Sequence, residues 1–194
     1  MNDDLPARLQ AWLSEHQPRV RAEWDAQPAA VLVPLYAEDG AWHVLFTLRT
    51  ETVDVHRGQV SFPGGRIESP EETPEQAALR EAQEEIGIRP RDVRLLGRLD
   101  PLLTVTQFRV EPVVGTIAWP YPLHLNRSEV ALTFGVPLAW LLDPGNLEIH
   151  DRELPGIGRP VPVYFFRPYH GQVIWGATAR ITLSLLEMLR AGSS

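Results

Sequence analysis

Between Thr73 and Gly87 the chain has a helix written into it at both ends, and that helix carries charge where a helix tolerates it least. Thr73 can cap free amides, Pro74 has the φ of a first helical residue, and Gln76 stands at capping-box spacing. Gly87 supplies a left-handed residue after the last turn, and Pro90 blocks resumption. The spacing predicts a helix over residues 74–86, with Ala78, Leu79, Ala82 and Ile86 on its apolar face. Glu81, Glu84 and Glu85 stand at i, i+3 and i+4, so they converge beside that face. Two of them lie in the last turn, where the dipole disfavours an anion by about 0.3–1 kcal/mol each. Mutual repulsion at about 4 Å adds roughly 1 kcal/mol in water. A bound cation repairs this arrangement. Hard divalent ions such as magnesium take carboxylate oxygens, and magnesium commonly accompanies phosphate. A solvated acidic face is the ordinary alternative for a glutamate-rich helix; the glycine turn Gly64-Gly65 and the adjacent Arg80 favour the ion site.

These residues resemble the Nudix box, G-x5-E-x7-R-E-U-x-E-E-x-G-U, where U is bulky and apolar. Arg80-Glu81-Ala82-Gln83-Glu84-Glu85-Ile86-Gly87-Ile88 follows its second half, with Ala82 small for its place. Glu72 precedes Arg80 by the required interval, but six residues instead of five separate it from Gly65. Upstream, Leu45-Phe46-Thr47-Leu48-Arg49-Thr50 and Gly58-Gln59-Val60-Ser61-Phe62-Pro63-Gly64-Gly65 resemble the signature of the coenzyme A diphosphatase branch, in which the lengthened first half is also usual. Thr50 replaces a serine or alanine of that signature, and Asp54 stands where it has arginine. Weaker likeness extends to Asn126-Arg127-Ser128-Glu129-Val130, Val136-Pro137-Leu138 and Trp175-Gly176-Ala177-Thr178-Ala179.

The resemblance implies an α/β/α sandwich with a mixed sheet and metal-dependent cleavage of a diphosphate bond. For this branch the substrate would be coenzyme A or its thioesters, and the products 3′,5′-ADP and 4′-phosphopantetheine. ADP-ribose, NADH or another nucleoside diphosphate derivative is the alternative, and a non-catalytic nucleotide sensor a third reading. Glu81 and Glu85, with Glu84, would hold Mg²⁺ or Mn²⁺ close to the backbone of Gly65. Glu84 or Glu129 would be the general base. Arg80 would hold a glutamate (Glu72 or Glu84) in orientation. Arg49, His56, Arg57, Phe62 and Arg66 are the candidate substrate contacts, the arginines through phosphate. His56 and Arg57 stand close enough to Asp54 to compensate for its charge.

Several function classes are excluded or weakened. The 194 residues contain no cysteine, so disulfides, zinc-thiolate sites and thiol catalysis are absent. A net charge of −7 argues against general nucleic-acid binding, including RNA decapping. No serine lies in a G-x-S-x-G context. The acidic start Met1-Asn2-Asp3-Asp4, with no long apolar run after it, argues against a secretory leader or membrane span, and cytoplasmic residence is expected.

Residues 1–27 read as a helical extension and 28–194 as the catalytic domain. Leu5, Leu9, Trp12 and Leu13 form a short amphipathic helix ending before Pro18, with a second helical stretch to about residue 26. This extension is expected to pack on the domain or at a homodimer contact. Residues 29–37 and 41–49 read as strands joined by a hairpin at Asp39-Gly40, Pro34 pushing part of the first toward an edge or bulge. Strands are expected over 93–102, 104–118, 130–134, 161–166 and 172–175, the last two turned by His170-Gly171. Short and long helices are expected over 138–142 and 177–190, and a loop or hairpin over 143–160. Trp119 and Tyr121, between prolines, are read as packing residues ahead of an adenine-stacking role.

Overall fold

The computed structural model describes residues 4–16, 18, 25–50, 58–153 and 158–191. Helix α1 (Leu5–Glu15) leads to β1 (Gln27–Glu38) and β2 (Ala41–Arg49). Asp39 and Gly40 both have positive φ, 49° and 74°, the backbone that matches the twist of a two-residue hairpin. Short strands β3 (Val60–Ser61) and β4 (Gly64–Arg66) precede α2 (Pro74–Ile86). Then come β5 (Val93–Arg98), β6 (Leu102–Leu103), β7 (Phe108–Ile117), β8 (Val130–Pro137) and α3 (Leu138–Leu142). A two-stranded arm, β9 (Leu147–Glu153) with β10 (Pro160–Phe166), precedes α4 (Gly176–Ala191).

Eight strands form one mixed sheet in the order β3-β2-β1-β7-β5, with β4 on β1, β6 on β7 and β8 on β2. Among the described residues only β1 and β7 pair in parallel. Alternate residues of β1 enter two separate cores. Ala30, Leu32 and Tyr36 pack with Ala77, Ala78, Ala82 and Ile86 of α2. Val33 and Leu35 pack on the other face with Leu9 and Leu13 of α1 and Leu185 and Leu186 of α4. Helices on both faces of a mixed sheet make the expected α/β/α sandwich. Because Leu9 and Leu13 are inside the main core, the N-terminal helix packs on the domain.

Pro34 does not mark an edge. It lies in the central strand opposite Gly115 of β7. Gln27 N–H donates to the Gln107 carbonyl, and Leu32 N–H to the Pro63 carbonyl on the opposite side. Backbone groups alternate, so the missing N–H of Pro34 falls on the second side. There β1 changes partner from β4, which ends its pairing at Val31, to β2, which begins at Leu35. No bond to β7 is lost.

Other boundaries move for local reasons. The strand expected over 93–102 carries a bulge near Gly97, whose φ is 146°, ends as β5 at Arg98, and resumes as β6 only after Pro101. The strand expected from 104 starts at Phe108, because residues 104–107 form a turn in which Thr104 Oγ1 accepts from Phe108 N–H. The segment 143–160 includes a short 3-10 turn, Pro144–Asn146, and β9. Residues 172–175 make isolated bridges only, Tyr169 with Gln172 and Phe165 with Trp175, because the turn at His170-Gly171 leaves no run of paired residues. The second helical stretch falls largely on residues 19–24, outside the described residues; Asp25 and Ala26 are not helical.

Candidate active site

Helix α2 begins and ends as its sequence directs. Thr73 Oγ1 accepts from Gln76 N–H while the Gln76 side chain accepts from Thr73 N–H, and Gly87 is left-handed at φ 76°. A strap after β7 closes the far end: His124 N–H donates to the Ile86 carbonyl and Asn126 N–H to that of Glu85. These bonds serve carbonyls that a helix end leaves free.

The three glutamates share a helix face but not an environment. Glu85 is 2% exposed, and burial pushes its carboxyl up to about 8, with the charges of Glu81 and Glu129 adding to the rise. Arg49 and the Gly64 N–H oppose this shift. Arg49 Nη1 donates to Glu85 Oε1 at 3.4 Å, whereas Glu85 Oε2 is buried without a hydrogen-bond partner. Glu81 is held above its usual range by burial, against the pull of Arg80. A Cβ on Gly65 would collide with the Glu81 carboxylate, so this glycine makes room for a charge. Glu84 projects outward, its side chain 57% exposed.

Arg80 is the hub of the helix. Its Nε donates to Glu72 Oε1 at 2.9 Å, Nη1 to Glu81 Oε1 at 2.8 Å, and Nη2 to the Arg66 carbonyl at 3.0 Å. Glu84 Oε2 is 3.6 Å from Nη1. The hydrogen bond to Glu72 raises the guanidinium pKa and holds the Glu72 carboxyl below its usual range. Of the two partners expected for Arg80, Glu72 is the bonded one, and Glu81 takes the second bond. A cavity of about 460 Å³ adjoins this hub through Glu68 and Glu72, with Arg109 on its wall.

Glu129 joins the cluster from the strap. Its Oε1 accepts from Asn126 Nδ2 at 2.9 Å, its carbonyl accepts from Thr50 N–H, and its charge is felt by both Glu81 and Glu85. The structure therefore gathers Arg49, Gly65, Arg80, Glu81, Glu85 and Glu129 around one region.

Other expected contacts do not gather there. Phe62 is a correction: it is 3% exposed and stacks on Phe46 at 4.9 Å, so its apolar ring belongs to the core. The Arg66 guanidinium lies over the Phe108 ring at 5.4 Å. His56, Arg57 and Asp54 lie outside the described residues. Trp119 stacks on Tyr36 at 4.0 Å and donates to Glu38, while the Tyr121 hydroxyl donates to Asp92, so both are packing residues.

One charged group escaped the sequence reading. Glu111 on β7 is 3% exposed; Arg109 lies 3.3 Å away, and Arg98 lies 3.7 Å from Glu111 and 3.2 Å from Glu75 of α2. This cluster ties the first turn of α2 to the sheet. The available signal was an acid inside the apolar run from Phe108 to Ile117, which a buried strand accepts only with a counter-charge.

The donor set fits a hard divalent cation. It offers carboxylate oxygens, and Glu85 Oε2 is a buried acceptor left without a donor. Among the described residues, no three acidic or histidine side chains yet converge on one point; Arg80 and Arg49 draw Glu81 and Glu85 toward themselves.

The family described as NUDIX domain matches residues 26–144. A Cronobacter sakazakii protein, described as an uncharacterized Nudix hydrolase NudL, is 39% identical over 192 residues, covering 94% of this chain and 95% of that protein. A MutT/nudix family protein from Enterococcus faecalis superposes with a TM-score of 0.55 at 15% identity, over 95% of this chain and 69% of its own. The Mycobacterium smegmatis Nudix hydrolase RenU superposes with a TM-score of 0.52 at 25% identity, over 61% and 74%.

Proposed function

The chain belongs to the Nudix family, as a hydrolase of nucleoside diphosphate derivatives, and we propose that its substrate is coenzyme A, with its thioesters, cleaved to 3′,5′-ADP and 4′-phosphopantetheine. One observation carries this reading. Arg49, from the upstream motif, meets Glu85 of the carboxylate helix, leaving a buried acceptor on Glu85 and a buried donor, Nε, on Arg49. An acceptor suited to a cation and a donor suited to a phosphate oxygen thus stand side by side, at the junction of the two motifs that mark the branch.

Glu81 and Glu85, assisted by Glu84 and the backbone at Gly65, would hold Mg²⁺ or Mn²⁺. Such an ion, when bound, neutralises charge on the diphosphate and lowers the pKa of a water. Arg49 donates to a phosphate oxygen and orients the diphosphate. Arg80 fixes the Glu72 and Glu81 carboxylates by direct hydrogen bonds. Glu129, anchored by Asn126, takes a proton as water attacks phosphorus; the new P–O bond forms while the bridging P–O bond breaks, and the phosphate leaves. Glu84 is the second candidate for that proton, with the weaker anchor.

No helix among the described residues is long and apolar enough to cross a membrane; the proposed setting is the cytoplasm. The test is a substrate panel of coenzyme A, ADP-ribose and NADH with Mg²⁺ or Mn²⁺ and resolved products. Preferred turnover of coenzyme A is expected. Equal or faster ADP-ribose turnover removes the assignment and favours the alternative substrates.

A further inference from the structure

Strand β9 stands outside the main sheet and, among the described residues, pairs with β10 alone. Six of its seven residues are exposed, including Ile149 at 57%. The Arg167 N–H donates to the Asn146 carbonyl at 2.8 Å, and the pairing continues Leu147 opposite Phe166 and Glu148 opposite Phe165. Even-numbered residues of β9 therefore aim their backbone groups at β10. The N–H and C=O groups of Ile149, Asp151 and Glu153 point to the free edge, as does the C=O of Leu147, whose N–H is taken by the Pro144 carbonyl. No proline interrupts that row.

Charged side chains normally guard such an edge against other strands. Here the guard is self-complementary. Glu148 and Arg152 lie on one face of β9, two residues either side of His150. When a second β9 runs antiparallel across a two-fold axis at His150, Glu148 stands opposite the partner's Arg152, and Arg152 opposite the partner's Glu148. Ile149 then stands opposite the partner's Asp151, with outward backbone groups facing each other as the hydrogen-bonded pairs require. A shift by one residue mismatches the backbone groups. A two-residue shift toward the C-terminus sets Asp151 against the partner's Asp151; the opposite shift sets Glu148 against the partner's His150 and loses both arginine pairs.

We propose that two copies of this chain associate edge to edge through β9, continuing the arm as a four-stranded antiparallel sheet. The interface is isologous, as a two-fold requires. The paired edge is about 23 Å long, short for a standard interface, so the dimer forms reversibly with concentration.

Sedimentation analysis of the full chain across a concentration series tests this. The wild type is expected to pass from monomer to dimer. Arg152→Glu and Glu148→Arg should each weaken the dimer about tenfold or more, since each sets like charges opposite one another twice. Mixing the two single variants should restore dimers, because each then supplies the charge the other lacks; misfolded variants could not do this. A wild type that stays monomeric throughout overturns the proposal. So does a dimer that neither variant weakens, or a mixture that fails to recover.

Discussion

Arg49 Nη1 on β2 lies 3.4 Å from Glu85 Oε1 on α2, and each side chain retains one buried polar atom, Arg49 Nε and Glu85 Oε2, without a hydrogen-bond partner. Unsatisfied buried polar atoms are costly, by about 1–3 kcal/mol each. In the proposed reaction Glu85 Oε2 is the acceptor a cation would engage and Arg49 Nε the donor a phosphate oxygen would take.

Glu85→Gln should fold, because glutamine keeps the shape of a carboxyl that burial already holds protonated well above its usual range. Turnover should fall by at least about 100-fold, since even residues behind a metal ligand cost up to that much. Calorimetric titration with Mn²⁺ should weaken in parallel. Near-full activity would place the ion elsewhere.

Metal-free stability should depend on pH through the same residue. A carboxyl raised to about 8 in the fold keeps a proton that the unfolded chain releases in the ordinary carboxylate range. The stabilisation is complete below that range, falls as pH rises through it, and is lost above about 8. In chelator, the melting temperature of the wild type should therefore drop relative to Glu85→Gln across this window. Parallel curves would show that Glu85 is ionised in the apo fold.

Gly65→Ala should abolish most activity with a modest loss of stability. The added methyl meets the Glu81 carboxylate, which must turn away from the site. Thermal melting and turnover separate the two effects; unchanged turnover would mean that Glu81 can move freely without consequence.

Arg80→Lys keeps the charge but loses the planar fork that reaches Glu72, Glu81 and the Arg66 carbonyl together. A loss of about 1–3 kcal/mol in denaturant unfolding is expected, with a larger fractional loss in kcat than in substrate affinity. An equal loss from Arg80→Lys and Arg80→Ala would support this geometry; full rescue by lysine would show that charge alone suffices.

Glu129→Gln should slow turnover by roughly 100-fold or more if Glu129 takes the proton, and Glu84→Gln much less. The reverse ranking would transfer the role of base to Glu84.

Much of the site was legible from local chemistry. The cap at Thr73, the stop at Gly87 and the spacing of Glu81, Glu84 and Glu85 are properties of neighbouring residues, and the helix formed within those limits. The Asp39-Gly40 hairpin was readable for the same reason. Pro34 was misread because its missing N–H matters only relative to partner strands distant in sequence. Phe62 sat in a motif whose glycines face the site, yet its own side chain alternates into the opposite core. Glu111 looked like an ordinary strand residue until Arg98 and Arg109 were brought beside it.

From the sequence alone came the helix, its ends and the angular clustering of like charges, because backbone geometry links residues three and four apart. Only the tertiary structure distinguished three chemically identical glutamates: one buried beside Arg49, one packed on Gly65 and bound to Arg80, one turned to solvent. Solvation and counter-charge set the chemistry of a carboxylate, and both are supplied by β2, β4 and the strap after β7, which the fold alone brings to α2.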